Sequence, residues 1–544
     1  MNTRTLAYAL LPLLLACGDG AVGDSEDGSG AGAASGPTTG TEGSGAGSST
    51  GTMGTTTGTS TTTSGAGGGV SLPDSVDVTL ENNGASGQTR INFAVPLPPG
   101  KLSDDSLVRV TANGQELARA ARGLARYPDQ SLRSVQVQVD VDPSASVTLT
   151  VGFGEASPIT PIDLVPVSST LVSSDGESGP LVYALLPASW LSASRVAGPL
   201  IPEADVAGTD LDAWSTHCDY DAFDTQTFLA EGADTTRAVW LYDRGTALYR
   251  GYARRGTVGP LASAYRETSM FKNRITGSGT SARNGIPQGA SGDPKYQYAQ
   301  NLAIHYLLTG DDSFREAAEA MALGMTELWP SPEYAGGTDS WTERNAGFAL
   351  LAYTWAAMVS DDVADALWAE ADAAASAYVA IQETYPAGYD DPDARCFAHH
   401  GDAHDPEEGI PYFGCSPWMS AILADGLDAY ARERGGAQGD AARLALVKLG
   451  RIIARDGLDA TGNPLYWMGV GTDQDLPDDY LEHVGESAYT VALAYAHDGK
   501  TDAALGAAAS ALVTKFRNEG TVGQLRSFNW QCRSAVMTPT FLAP

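Results

Sequence analysis

The chain reads as a multidomain protein, an N-terminal antiparallel β domain followed by an α/α toroid of about five or six helical hairpins. Three observations predict this. Between Val70 and Pro166 apolar and polar residues alternate with a period of two, and dense turn signals interrupt them. From about residue 234 the apolar period becomes helical. Within that second half one pattern returns, an aromatic-rich helix, a tight turn and an Ala-rich helix.

The opening MNTRTLAYALLPLLLA carries one Arg before an apolar run too short to span a bilayer, which predicts a secretory signal over residues 1–17. It ends in LLAC, which resembles the bacterial lipoprotein box, so Cys17 is the expected lipidation site. Gly18 after it points to an exported protein anchored in the outer membrane or at the cell surface. Residues 18–70 are almost wholly Gly, Ser, Thr and Ala, too poor in apolar side chains to offset backbone ordering, and predict a disordered tether.

Residues 71–166 form the expected β domain: VDVTLENNG, RINFAVPLPPG, SLVRVTANGQEL, SLRSVQVQVDVD and SVTLTVGFG alternate between NNG, PPG, ANG and DPS turns. Residues 167–233 are irregular and read as a connecting layer. Residues 234–544 hold the hairpins, clearest in TTRAVWLYDRGTALYRGYARRGTVGPLASAYRET and KYQYAQNLAIHYLLTGDDSFREAAEAMALGM. Units that cannot each bury an apolar face alone must stack or close on one another, and the variable loops between these favour a ring over a regular solenoid.

The formal net charge is −33, with 33 Lys and Arg against 66 Asp and Glu, which removes nucleic acid as a partner because the phosphate-neutralising cations are missing. A polyanionic substrate is opposed too, unless the arginines gather locally. After Cys17 four cysteines remain, an even number in an exported chain. Cys218 precedes the first hairpin and Cys532 follows the last, so ring closure brings them together; Cys396 and Cys415 bracket one loop. The expected disulfides are therefore Cys218–Cys532 and Cys396–Cys415.

The turns inside the hairpins (RRGTVG, LTGDDS, RGGAQGD, HDGKTD) carry only solvated turn chemistry. The loops leading into each first helix are different, holding Trp, Tyr, His and charge: DAWSTHCDYDAFD, NGIPQGASGDPKYQY, YAGGTDSWTERN, RCFAHHGDAHDPEEGIPYFGCSPW and NPLYWMGVGTDQDLPDDYLEHVGES. Meeting on one face, they predict an aromatic-walled cleft of the kind sugar rings stack on. His399 and His400 are candidate proton-transfer groups. With His404, Asp402 and Asp405 they also offer a lesser reading as a divalent-metal site, although HHGDAHD lacks the spacing of a marked zinc site; no cofactor is expected. Tyr298 and Asn301 start the second hairpin, and His305, one turn on, reads as a core residue. Arg344 in SWTERN suits a substrate carboxylate. Trp341, Glu343, His217, Trp418, Tyr480 and His483 complete the expected substrate-binding set, and His497 is set aside as a turn residue.

FAVPLPPGKLSDDSLVRVTANGQEL and GLARYPDQSLRSVQVQVDVD are similar to the β domain of the exo-acting rhamnogalacturonan lyase-like proteins, and NLAIHYLLTGD and SPWMSAILADGLDAY resemble the toroid that follows it there. Gln130 stands where that family commonly has Gly, and Ser134 where it often has an aromatic. The resemblance implies the fold and a glycan partner. The favoured expectation is a polysaccharide lyase cleaving a uronate-containing glycan by β-elimination, with His400 or Tyr298 as base and Arg344 and Asn301 on the carboxylate. The alternatives are a glycoside hydrolase using a pair among Asp339, Glu343, Asp402, Asp405, Glu482 and Glu486, and a non-catalytic surface glycan-binding protein.

Overall fold

The computed structural model describes residues 73–143, 147–230, 240–329, 341–384, 386, 388–389, 391–404, 410–471, 474–478, 482–520, 522 and 525–543. The signal segment with Cys17, the tether, Asp339, Asp405, Tyr480 and the side chain of His404 lie outside the described residues. Among the described residues no helix is long and apolar enough to cross a membrane.

Strands β1 (Ser75–Asn82), β2 (Thr89–Pro96), β3 (Val108–Ala112), β4 (Gln115–Glu116), β5 (Arg119–Arg126), β6 (Leu132–Val141) and β7 (Thr148–Phe153) follow the alternating runs. An eighth, β8 (Val182–Leu185), comes from the stretch read as a connecting layer, because its short apolar run pairs with the edge of β1. Two antiparallel sheets result, ordered β4-β3-β7-β1-β8 and β2-β6-β5. At the turn before β6, Gln130 takes φ 69° in the left-handed region that a Gly would occupy without steric cost.

Strand β6 is buried along nearly its whole length, and its SVQVQV sequence explains why. Val135, Val137 and Val139 point one way into the core. Ser134, Gln136 and Gln138 point the other way, toward the ends of helices. Ser134 Oγ donates to Leu307 O at 2.6 Å, and Gln136 donates to Asn92 Oδ1 at 2.7 Å, whose amide donates to Thr309 O at 2.8 Å. Carbonyls that a helix leaves unsatisfied at its C-terminus are thus capped by the sheet.

Among the described residues the helical region contains five hairpins: α1 (Arg244–Arg255) with α2 (Val258–Lys272), α3 (Gln300–Thr309) with α4 (Asp312–Leu328), α5 (Glu343–Val359) with α6 (Ala364–Thr384), α7 (Ser420–Arg434) with α8 (Gly436–Asp456), and α9 (Val484–His497) with α10 (Ala503–Glu519). A further helix, α11 (Leu525–Arg533), follows. Each first helix packs on the next, α1 on α3, α3 on α5, α5 on α7 and α7 on α9, while α11 contacts both α9 and α1. The α5–α7 approach depends on Gly347, where a Cβ would lie 2.6 Å from the backbone of Ile422 and Leu423. Among these helices a buried ion cluster centres on Asp425: Arg250 grips both of its oxygens at 2.9 and 3.2 Å, and Arg533 adds a bond at 3.1 Å.

Both expected disulfides form, Cys218–Cys532 across 314 residues and Cys396–Cys415 across 19. The first ties the approach to α1 to α11. The second closes a short loop, which in a chain-entropy account is worth about 3 kcal/mol.

Candidate active site

The loops that lead into the first helices supply a small antiparallel sheet, running His399–His400, Phe413–Cys415, Leu465–Gly469 and Leu476–Pro477. Side chains alternate across it. Tyr466 faces a cleft, whereas its neighbour Trp467 is fully buried against His399, with ring centroids 4.8 Å apart.

The cleft has a volume of about 570 Å³ and gathers residues from the N-terminal sides of α1, α5, α7, α9 and α11. Its floor is a cluster of three rings, with His483 4.5 Å from Trp418 (interplanar angle 10°) and 4.7 Å from Trp530 (30°) and the two indoles 5.5 Å apart (27°). Tyr242 meets Trp530 edge-on at 5.2 Å, and Tyr466 stands 5.9 Å from Trp418. Two guanidiniums flank this floor. Arg344 Nη1 donates to the Tyr242 hydroxyl at 3.5 Å, and Arg526 lies over Trp530 while donating to Glu482 Oε2 at 3.3 Å. Asp478 completes the wall and accepts from the His483 backbone N–H at 3.3 Å.

Behind His483 sits Glu486, 4 % exposed, with both carboxyl oxygens unpartnered and Oε1 3.8 Å from His483 Nδ1, which is also unpartnered. Burial, reinforced by Asp478 and Glu482, pushes the Glu486 carboxyl well above the usual carboxylate range. Burial also pushes His483 down to about 4, against the pull of Asp478 and Glu482. The imidazole is therefore neutral at ordinary pH.

Of the residues singled out from sequence, Arg344, Trp418, Glu482 and His483 meet in this cleft. Tyr298 and Asn301 lie one contact behind it. The buried Tyr298 hydroxyl accepts from Tyr242 N–H at 3.0 Å and lies 2.8 Å from Trp240 O, and the Asn301 amide donates to Asp243 Oδ1 at 2.8 Å. Together they hold the turn in which Tyr242 and Asp243 adopt φ of 72° and 54° and Tyr242 is presented to the cleft. Glu343, Trp341 and His399 form a second buried layer. His399 Nδ1 is 2.9 Å from Glu343 Oε2, Trp341 lies 6.2 Å from the His399 ring, and Glu343 Oε1 accepts from Ser416 N–H. Ser416 in turn donates to Tyr466 O at 2.9 Å, linking this layer to the cleft wall. His400 faces away from His399, 3.4 Å from Asp402 and edge-on to Phe413. Adjacent strand residues point to opposite faces, so the two histidines do not converge on one ion.

His217 packs on Phe516 at 4.7 Å, against α10 and away from the cleft. His305 is a core residue, stacked 3.6 Å from Phe314 with Nδ1 2.6 Å from the Tyr249 hydroxyl; burial drives its pKa well below the ordinary value. Among the described residues Glu319, Asp361 and Asp362 place one oxygen each within 4.8 Å of one another, yet Arg315 already pairs with Asp361 at 2.6 Å there. Tyr242, Tyr466, Trp530 and Arg526 were not singled out from sequence. Tyr466 belongs to a loop flagged for its aromatics, whereas Trp530 and Arg526 sit on the terminal helix, past the last repeat.

Comparison with protein-family models, curated proteins and solved structures gives no match to this chain.

Proposed function

We propose that the chain is a carbohydrate-active lipoprotein whose helices close into an α/α toroid, and that the cleft is a polysaccharide-lyase site for a uronate-containing glycan. The contacts of α11 with both α9 and α1, and the Cys218–Cys532 bridge, support the ring. One observation carries the functional reading: two arginines, Arg344 and Arg526, flank a Trp418–His483–Trp530 stack in a chain of net charge −33. A pyranose stacks on the indoles, and its carboxylate meets the Arg344 guanidinium. The resemblance to exo-acting rhamnogalacturonan lyase-like proteins supports the same partner class.

In β-elimination the C5–H bond breaks, a C4–C5 double bond forms and the C4–O4 bond breaks. The neutral His483 takes the C5 proton, while Arg344 stabilises the charge that develops on the uronate carboxylate. Asp478 and Glu482, which draw the imidazole pKa upward, favour the imidazolium formed. Tyr466 on the cleft wall supplies a hydroxyl to the departing O4. This moves the base from His400 or Tyr298 to His483.

A hydrolase is the second reading, favoured by a carboxyl whose pKa burial raises (Glu486) near two other acids, the pattern that separates acid from base. Its weakness is position, since Glu486 is buried behind the imidazole. Incubation with pectic and other uronate polymers separates the readings. Ultraviolet absorbance of an unsaturated product supports the lyase; new reducing ends without that absorbance support the hydrolase; retention on a glycan column with neither signal supports a binding protein.

A further inference from the structure

A second pocket, of about 300 Å³, lies at the opposite ends of the helices that form the cleft. Its wall takes Leu307 from the end of α3, Trp355 and Met358 from the end of α5, and Arg432 from the end of α7, facing Tyr127 and Arg133 of the β domain. Arg344 and Trp355 are on the same helix, about 16 Å apart along its axis. The pocket and the cleft are therefore separate sites.

Its charged lining is three arginines, Arg133, Arg195 and Arg432, against two carboxylates, Asp129 and Glu433. Arg432 is held from behind: Nε donates to Asp428 Oδ2 at 3.0 Å, and Asp428 is held in turn by His497 Nε2 at 3.1 Å. That grip leaves Arg432 Nη2 buried and unpartnered. The Trp355 side chain is 2 % exposed, and its indole N–H also has no acceptor. On the rim Arg195 makes no ion pair among the described residues and projects from a backbone at φ 58°. By contrast Arg133 is committed, paired with Glu433 and lying 4.2 Å over Tyr127. Helix C-termini gathered in one place attract cations, which accounts for arginines here. It does not account for a braced guanidinium and an indole that both lack an acceptor, because buried donors are ordinarily satisfied.

We propose that this pocket binds a small carboxylate-bearing ligand of sugar-acid size, its carboxylate on Arg432 Nη2, the Trp355 N–H and Arg195, and its less polar face on Leu307 and Met358. The site stands whether or not the cleft is a lyase.

D-galacturonate, with D-galactose as the neutral control, is titrated calorimetrically into the full chain carrying Arg344→Ala, which removes the carboxylate anchor of the cleft. Saturable binding of the acid alone is expected. Arg432→Gln should weaken it by ~10-fold or more and Trp355→Phe by ~3-fold or more. Arg195→Gly should weaken it as well; Gly suits the positive φ, so the fold is untouched even if Arg432→Gln is poorly tolerated. Binding that Arg344→Ala abolishes, binding indifferent to Arg195→Gly and Trp355→Phe, or equal binding of galactose each overturns the proposal.

Discussion

Two buried ionisable clusters in the helical region have opposite character. Around Asp425 the carboxylate is gripped by Arg250 and Arg533, which outweigh the effect of burial and hold its pKa below the ordinary value. Around Glu486 the carboxyl is also buried but its oxygens accept no hydrogen bond, and burial pushes its pKa well above the ordinary value beside a neutral His483. Burial alone thus does not mark a functional group. The Asp425 cluster uses its bonding to join α1, α7 and the end of α11, whereas His483 at the wall of a cleft, and Glu486 behind it, leave theirs open.

Removing one partner from a buried, bonded cluster strands the others, so Asp425→Ala should cost about 3–5 kcal/mol in denaturant unfolding. Glu486→Gln, which keeps the shape of a carboxyl whose oxygens accept no hydrogen bond, should cost about 1 kcal/mol or less. If the two variants lose similar stability, the contrast between the clusters fails. Turnover should divide the other way. His483→Gln, which keeps most of the buried volume, is expected to lower product formation by ~10²–10⁴-fold while costing less stability than Asp425→Ala, since it removes the base and no side-chain hydrogen bond.

Acid should act on the two kinds of group in separate windows. With His483 at about 4, the base is neutral above that value, so activity should hold from neutral pH downward and fall as pH drops through about 4. Asp428 is depressed to about 2 by Arg432 and His497, which overcome its burial. A carboxylate lowered on folding stabilises above its unfolded pKa of about 4, and that contribution, roughly 2–3 kcal/mol, is lost as pH falls through about 2. Activity should therefore fail before this part of the stability does, and a shared midpoint in kinetics and acid unfolding would contradict it. The smallest effect is expected at the floor. Trp418→Phe keeps an aromatic face and should weaken glycan binding by only ~2- to 10-fold in affinity electrophoresis, against a much larger loss for Trp418→Ala.

Much of the fold was legible. Period-two alternation located the strands of the β domain, the repeated aromatic and Ala-rich pattern located all five hairpins, and the order of the cysteines located both disulfides. Strand β8 escaped because four apolar residues amid irregular sequence carry no period. The site was legible in part. Arg344, Trp418 and His483 stood out because their loops precede helices that pack together. Tyr298, Asn301 and Glu343 carry the same chemical promise in sequence, and only the fold separates the layer facing solvent from the one behind it. His399 and His400 illustrate this best, since a single-residue step along a strand sends one into the core and the other away. Trp530 and Arg526 reach the cleft only because α11 packs against α1, a contact that no local pattern encodes.

The central claim, that the cleft holds an acidic sugar between Arg344 and the Trp418–His483–Trp530 stack, is tested most directly by a crystal structure of the protein soaked with an acidic pectic oligosaccharide. The account predicts a uronate ring lying on the Trp418 and Trp530 faces, its carboxylate at Arg344 and its C5 turned toward His483. An oligosaccharide bound on another face of the molecule, with the stack bare, would contradict it.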